Sequence, residues 1–357
     1  MKWRSVVISL LLLAIFGGFA FYYFRFFVAP KTHGVILLIT PGVDLELLAA
    51  SEIDAASVLR YRTLFSPRFT ALVRSRTTKG TTVDLPALMT SLASGQYGPP
   101  GHLGLSKDGF PLDTLIYDAQ RKGRLVGLTT DGTLTAPELA AFYSSVVDPS
   151  DTATIATHLI DSAKMSIILG ENDSIFTKAQ HFKNRDLLAE VKLEGRNLLL
   201  TRQDLQDFAS YNMLTRVFGI FPFHTSVKDP TVVPSLPFMI QRAIQKLQYN
   251  LHGYFLVAST RMLNHHPDDD TPEHRLESLG ILDETIHTAL QYAGKNSVVI
   301  LYSPYSRGRL TSPHGDGADP ILHAESTGWV FIYSPQPPSL GGFIWPSDLH
   351  NYIENNL

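Results

Sequence analysis

Seven short apolar runs, separated by helical patterns, constrain the fold of this 357-residue chain more than any other feature. Continuous apolar runs of this length are typical of strands that are buried on both faces of a sheet. They are GVILLIT (34–40), RLVGLTT (124–130), MSIILG (165–170), NLLLT (197–201), GYFLVAS (253–259), SVVILYS (297–303) and WVFIYS (329–334). The helical patterns are LELLAASEIDAASVLR (45–60), TAPELAAFYSSVV (135–147), PFMIQRAIQKLQYN (237–250), ILDETIHTALQYAGK (281–295) and PSDLHNYIENNL (346–357). We therefore predict an α/β fold with three layers, α/β/α, around a mostly parallel central sheet.

The carboxyl ends of the strands mark where a ligand site belongs in such a sheet. The residues that follow four of the predicted strands are Pro41-Gly42, Ser259-Thr260, Pro304-Tyr305 and Pro335. None of them is an acid, and Tyr305 alone can ionise. We therefore expect an edge that is poor in catalytic side chains.

The segment VVISLLLLAIFGGFAFYYF (6–24) carries no charge over 19 residues, which is about the length that a bilayer core needs. Lys2 and Arg4 precede it, so the positive-inside rule predicts a cytoplasmic N-terminus, although Arg25 and Lys31 oppose this orientation. The alternative is a cleavable signal peptide that ends near Ala20. We predict an anchor over residues 1–30 in the cell membrane, crossing it once, and a main domain over 31–357 that is periplasmic or extracellular.

Composition excludes several classes of function. The net charge of −3 gives no general attraction to nucleic acid. The chain has no cysteine, which excludes disulfides, thiolate metal sites and a cysteine nucleophile. With 44% hydrophobic residues the chain can bury a substantial core. No clear break in the sequence divides residues 31–357 into two domains.

The segment TTVDLPALMTSLASG (81–95) predicts a helix that begins at a sharp corner. Asp84 can cap this helix, and Pro86 suits its first turn. Many hydrolases place a nucleophile at such a corner, because the free N–H groups of a helix N-terminus attract an anion. The residue at this corner is Leu85, which can do no chemistry.

The order of motifs along residues 34–357 resembles the alkaline phosphatase family. The matching segments are GVILLITPGV, VDLPALMTSLASG, LGLS (103–106), EGRNLLLTRQDLQ, LPFMIQRAIQKLQYNLHGYFLVAS, ILDETIHTALQYAGKNSVVILYSP, ESTGWVFIYSPQ and FIWPSDLHNYI. The resemblance implies the family's α/β/α fold. For active members it also implies zinc and magnesium ions held by Asp, His, Glu and Ser or Thr, a serine that attacks phosphorus, and an arginine that binds phosphate.

By this resemblance, most positions of the family site hold residues that cannot do its chemistry. The nucleophile position is Leu85, the phosphate-arginine position is Val147, and the aspartate before the nucleophile is kept as Asp84. The metal-ligand positions hold Pro41, Leu134, Ala136, Ala258, Leu263, Pro267, Pro304, Tyr305 and Ser326. Zinc needs anionic or imidazole ligands at about 2 Å. We therefore expect no bound zinc, magnesium or other cofactor, and we identify the chain as a catalytically degenerate member, a pseudoenzyme.

Two polar segments contain residue types that could bind a metal ion outside the positions of the family site. NHHPDDDTPEHR (264–275) contains His265, His266 and Asp268, which a relocated metal site could use; a solvated acidic loop is the simpler interpretation. The segment 312–325 offers further His, Asp and Glu residues between glycines and prolines, which are typical of a surface loop.

The sequence therefore favours a membrane-anchored, non-catalytic binding or scaffold protein, with a protein partner or a second copy of itself as the candidate partner. A metal-dependent phosphomonoesterase or related hydrolase with relocated ligands is the competing hypothesis. A third hypothesis is a protein that binds a small ligand in the vacated pocket.

Overall fold

A computed structural model describes most of the chain. The described residues are 2–23, 32–43, 48, 61–74, 77–78, 82–161, 164–172, 174–177, 185–212, 214–222, 232–260, 272–305, 309–310, 322–323 and 327–357. The predicted helix over 45–60 lies outside them apart from Leu48.

Eleven helices are defined in these ranges. They are α1 (Lys2–Tyr23), α2 (Leu85–Ser94), α3 (Leu115–Arg121), α4 (Pro137–Ala140), α5 (Thr152–Asp161), α6 (Ser174–Thr177), α7 (Leu187–Leu193), α8 (Arg202–Asp207), α9 (Leu236–Leu247), α10 (Pro272–Ala293) and α11 (Pro346–Asn356).

Fourteen strands are defined in the same ranges. They are β1 (Gly34–Ile39), β2 (Phe69–Arg74), β3 (Thr77–Thr78), β4 (Thr82–Val83), β5 (Leu125–Thr133), β6 (Ile167–Glu171), β7 (Asn197–Leu199), β8 (Val217–Phe221), β9 (Tyr254–Ser259), β10 (Ser297–Ser303), β11 (Arg309–Leu310), β12 (Leu322–His323), β13 (Thr327–Tyr333) and β14 (Phe343–Ile344).

Ten of these strands form one sheet in the order β14-β2-β13-β10-β1-β9-β5-β6-β8-β7. Neighbouring strands are parallel except where β13 runs antiparallel to β10 and β2. The prediction of a mostly parallel sheet is confirmed. At the centre, Ile39 of β1 is in register with Tyr302 of β10 and Ser259 of β9, so these strands end together.

The core divides into two clusters, one on each face of the sheet. Along β1, Val35 and Leu37 belong to the first cluster, whereas Ile36 and Leu38 belong to the second. This alternation is expected for a strand that is covered on both faces. The first cluster contains residues of α2, α3, α4, α5, α7 and α11, and the second contains residues of α8, α9 and α10. The predicted three-layer α/β/α arrangement follows from these two clusters.

The helix predicted over 135–147 is much shorter than its sequence pattern. Only Pro137–Ala140 is helical, and the residue before it is Ala136. Further along, Val146 exchanges two backbone hydrogen bonds of 2.9 Å with Leu103. This pairing draws the chain out of the helix, so tertiary contacts override the local preference.

The carboxyl edge also receives acids from two other strands, β5 and β6, which are not among the four strand ends considered in the sequence. β5 continues past residue 130 to Thr133 and includes Asp131, and β6 ends at Glu171. Both carboxylates are buried. Pro335 is also displaced from the predicted edge, because it follows the antiparallel strand β13 and therefore lies at the amino edge of the parallel strands.

The amino edge of the sheet is closed by Arg124, which precedes β5 and is buried. Its guanidinium donates to the backbone oxygens of His33 at 3.1 Å, Thr32 at 2.9 Å, Asn356 at 3.0 Å and Leu357 at 2.5 Å. One side chain thus joins the segment before β1 to the end of α11.

The N-terminal helix α1 covers most of the predicted anchor. Among the residues described here, no helix combines the length and the apolar character that crossing a membrane requires.

Candidate functional site

The helix corner at α2 has the backbone arrangement that the sequence predicted. Asp84 is buried, and its Oδ1 accepts the N–H of Ala87 at 3.0 Å, which caps the helix. Its Oδ2 accepts the N–H of Gly101 at 2.8 Å, which ties a second loop to the corner. Thr90 of the same helix makes a second contact with this loop, since its Oγ1 accepts the N–H of Gly104 at 2.9 Å.

Leu85, which the resemblance assigns to the family's nucleophile position, is the first helical residue of α2. Its side chain is half-buried and packs against the first core cluster. The corner is therefore well formed, but it presents a hydrocarbon where the family's chemistry would need a hydroxyl.

Pro41 and Pro304 lie at the carboxyl ends of β1 and β10. Both are buried, and Tyr305 is half-buried beside them. Because β1 and β10 are adjacent and parallel, these residues share one edge, as the sequence predicted. Their side chains offer no carboxylate and no imidazole.

The end of β9 places Ser259, and not Ala258, on the face that α4 covers. Ala258 packs in the second core cluster. The Ser259 hydroxyl donates to Glu138 Oε1 of α4 at 3.4 Å. The neighbouring Thr260 donates from Oγ1 to Asp131 Oδ2 at 3.0 Å.

Glu138 and Asp131 are two buried acids at this edge that the sequence patterns did not single out. Burial raises the pKa of Glu138, and the negative charge of Asp131 raises it further, whereas the hydrogen bond from Ser259 opposes the shift. The signal that could have revealed Asp131 was its position directly after the strand pattern at 124–130. Glu138 gave no such signal, because its burial depends on where α4 packs.

Three other positions that the resemblance assigns to the family site hold apolar residues. Val147, at the phosphate-arginine position, is 65% exposed, so an aliphatic side chain faces solvent there. Leu134 is fully buried in the first core cluster. Ala136 is half-buried at the N-terminus of α4 and makes no side-chain cap.

Several predicted positions lie outside the described residues. They are Leu263, Pro267 and Ser326 among the family positions, together with His265, His266 and Asp268 of the alternative metal site. These assignments stay predictions.

The described residues do not fit the family's zinc and magnesium ions. In the part of the chain that the structure describes, no group of three or more His, Asp or Glu side chains is placed to hold a metal ion. Structural zinc takes four protein ligands and catalytic zinc takes three. The two carboxylates of Asp131 and Glu138 instead accept hydrogen bonds from protein hydroxyls.

A sequence model of the family described as "Alkaline phosphatase" matches residues 34–314, which is most of the chain. The chain belongs to the alkaline phosphatase family. Alkaline phosphatase 4 of Bacillus subtilis is 24% identical over 258 residues, which are 68% of this chain and 54% of that protein. Alkaline phosphatase 3 of the same organism is 23% identical over 250 residues, 67% of this chain and 52% of that protein. The chain thus spans about half the length of the curated relatives that it matches.

Solved structures show the same family fold. Alkaline phosphatase from the Antarctic bacterium TAB5 superposes with a TM-score of 0.71 at 17% identity, covering 92% of this chain and 98% of that one. The enzyme from Thermus thermophilus gives a TM-score of 0.74 at 16% identity, covering 92% of each chain. At these identities the likeness establishes the fold alone.

Proposed function

We propose that this member of the alkaline phosphatase family acts by binding and does not hydrolyse phosphate esters. The observation that carries the proposal is Leu85, at the first residue of α2 in a corner whose backbone Asp84 holds in place. Phosphoryl transfer at this position needs a nucleophile, and a leucine side chain has no group that can attack phosphorus.

Electrostatics at the carboxyl edge supports the same conclusion. A transferring phosphoryl group is stabilised by cations such as arginine or metal ions. The described edge instead carries the acids Asp131 and Glu138, both buried, and an exposed Val147 at the arginine position. A phosphate dianion would be repelled by either acid in its charged form.

The competing function is a metal-dependent phosphomonoesterase or related hydrolase with relocated ligands. Buried Asp131 and Glu138 favour it, since they lie at the edge where the family site belongs. His265, His266 and Asp268 follow β9 in the sequence and would have to supply the remaining ligands.

The two functions differ in bound metal and in turnover. Mass spectrometry for zinc and magnesium on the purified full-length chain, combined with hydrolysis of p-nitrophenyl phosphate, separates them. We expect substoichiometric metal and no hydrolysis above the buffer rate. Stoichiometric zinc that is lost in a His265→Ala/His266→Ala variant, together with turnover, would establish the hydrolase instead.

We also propose that residues 6–24 hold the domain at the outer face of the cell membrane, where it binds a protein partner or a second copy of itself. The uncharged 19-residue segment and the exposed apolar side chains of α1, such as Leu13 and Phe16, support this placement. Carbonate extraction of cell membranes, followed by protease treatment of intact cells, tests it. Release by carbonate, or full protection from protease, would contradict it.

A further inference from the structure

A cleft of about 870 Å³ opens at the amino edge of the sheet, between α11 and the segment 334–341. Thr32, which precedes β1, and Asn296, which precedes β10, both line it. It therefore lies at the edge opposite Pro41 and Pro304. Binding in this cleft does not depend on whether the family site is active.

One wall of the cleft is a single face of α11. Asp348, Asn351, Tyr352 and Asn355 all line the cleft, and their spacing places them on one side of a helix. The opposite side of α11 is fixed in the core by Leu349 and Ile353. This wall is therefore rigid before any ligand binds.

Asn351 and Asn355 are both exposed and lie one helical turn apart. Four residues of helix rise about 6 Å. Two residues of an extended polypeptide advance about 6.6–6.8 Å, so equivalent peptide groups of such a segment recur at nearly the same spacing. A side-chain amide offers one acceptor and an NH₂ donor, which complement the N–H and C=O of a peptide group.

The facing wall is rich in proline. Pro335, Pro337 and Pro338 line the cleft, and proline has a fixed φ and no N–H to donate. The fixed φ angles restrict the conformations of this wall, which lowers the entropic cost of binding. The three prolines have no N–H groups with which to bind the backbone of a ligand. The exposed amides of α11 are the hydrogen-bonding groups with a regular spacing, and Asn296, Gln336 and Ser339 add further polar groups to the lining.

The charge of the side chains that line the cleft restricts the class of ligand that it can bind. Among the described residues that line the cleft, Asp348 is the one charged side chain. Its Oδ2 accepts the N–H of Trp345 at 2.8 Å, so the acid is held in place and its second oxygen is available to a cation. Phe343, 51% exposed, adds an apolar surface, and the guanidinium of Arg74 lies 4.5 Å from the centroid of its ring. Within the cleft, Asp348 offers a partner for a single basic group of a ligand.

We propose that this cleft binds an extended polypeptide segment of a partner protein, uncharged or carrying one basic residue, with Asn351 and Asn355 holding its backbone. The segment lies along α11, and a lysine or arginine of the partner pairs with Asp348.

The test is a selection of random heptapeptides displayed on phage, with the full-length chain in detergent micelles as the target. An enriched peptide is then made with a fluorescein label and titrated by fluorescence polarisation. An Asn351→Ala/Asn355→Ala variant loses two amide hydrogen-bond sites, so we expect Kd to rise about tenfold or more. Asn197→Ala removes an exposed asparagine from β7 at the far end of the sheet and should leave Kd unchanged.

Three outcomes would overturn the proposal. They are a selection that enriches no peptide, equal Kd values for the double variant and the parent chain, and enriched peptides that are mainly acidic. A neutral saccharide would be the ligand class instead if maltohexaose or cellohexaose, titrated by calorimetry, bound the parent and not the double variant. Thermal unfolding followed by circular dichroism verifies that the double variant is folded, as expected for exposed positions.

Discussion

The hydroxyl of Ser259 donates to the buried carboxylate of Glu138 at 3.4 Å, and this contact joins the end of β9 to α4 at the carboxyl edge of the sheet. A second hydroxyl–carboxylate pair, Thr260 with Asp131, lies on the next residue of the same chain segment. Among the described residues, this edge therefore has buried acids whose carboxylates accept hydrogen bonds from protein hydroxyls.

Glu138→Gln should make the stability of the domain less dependent on pH. The pKa of Glu138 is raised by burial, so its charged form is disfavoured in the folded state. The free-energy cost of ionising Glu138 in the folded state is absent below the pKa of this residue in the unfolded chain, about 4.3. It grows as the pH rises and is complete above the raised pKa of the folded state. We expect the variant to be more stable than the parent by about 1–3 kcal/mol at pH 8, with the difference closing near pH 4.

Urea unfolding at the two pH values measures this difference. Asp108→Asn, which removes an exposed carboxylate, is the control for the loss of one negative charge. A gap that stays constant between pH 8 and pH 4 would show that the variant acts through packing and not through ionisation.

Asp84→Ala should destabilise the domain more than the loss of an ordinary helix cap. The carboxylate accepts the N–H groups of both Ala87 and Gly101, so its removal leaves two donors unsatisfied. We expect a loss of about 2–4 kcal/mol in the free energy of unfolding, and roughly half of that for Asp84→Asn, which keeps one acceptor oxygen.

The matched control for Asp84 is Asp186, which caps α7 through one bond to the N–H of Ala189. Asp186→Ala should cost about 1 kcal/mol in the same urea titration. Equal losses for the two variants would mean that the bond to Gly101 contributes nothing.

Leu85→Ser should restore the hydroxyl without restoring activity. A serine hydroxyl needs a metal ion or a neighbouring base to become nucleophilic, and the described residues around the corner supply neither the ligand set nor an arginine for the phosphate. We expect p-nitrophenyl phosphate hydrolysis to stay at the buffer rate, as for the matched Leu85→Ala variant. Turnover in the serine variant alone would show that a working metal site exists in the chain.

Arg124→Lys should loosen α11. The planar guanidinium donates to five backbone oxygens on three separated segments, an arrangement that a lysine ammonium cannot reproduce. We expect a loss of about 2–4 kcal/mol in the free energy of unfolding and faster amide exchange in α11. Arg121→Lys alters ion pairs of an exposed arginine with Asp113 and Asp118, and it should leave the free energy of unfolding and the amide exchange of α11 unchanged. Protection of α11 that is unaffected in Arg124→Lys would contradict the assigned role.

The sequence predicted the parts of this fold that depend on local pattern. Continuous apolar runs identified the central strands, and Asp84 and Pro86 identified the start of α2, because cap chemistry depends on a few neighbouring residues. The features that escaped prediction depend on tertiary contacts. Val146 leaves the predicted helix to pair with Leu103, β13 runs antiparallel, and Glu138 becomes buried only when α4 packs near β9.

The hydrogen bonds of Arg124 also hold the segment before β1 close to the end of α11, so the order of the elements along the chain could be changed without changing the fold. Thr32 and Asn356 share one guanidinium, and the Thr32 hydroxyl contacts Asn356 Oδ1 at 2.9 Å. A short linker could therefore join residue 356 to residue 32. New termini could then be opened at an exposed loop such as 106–110, giving a circular permutant with the same strand order. In such a permutant the domain could be attached to another protein, or to a surface, from a side other than the amino edge.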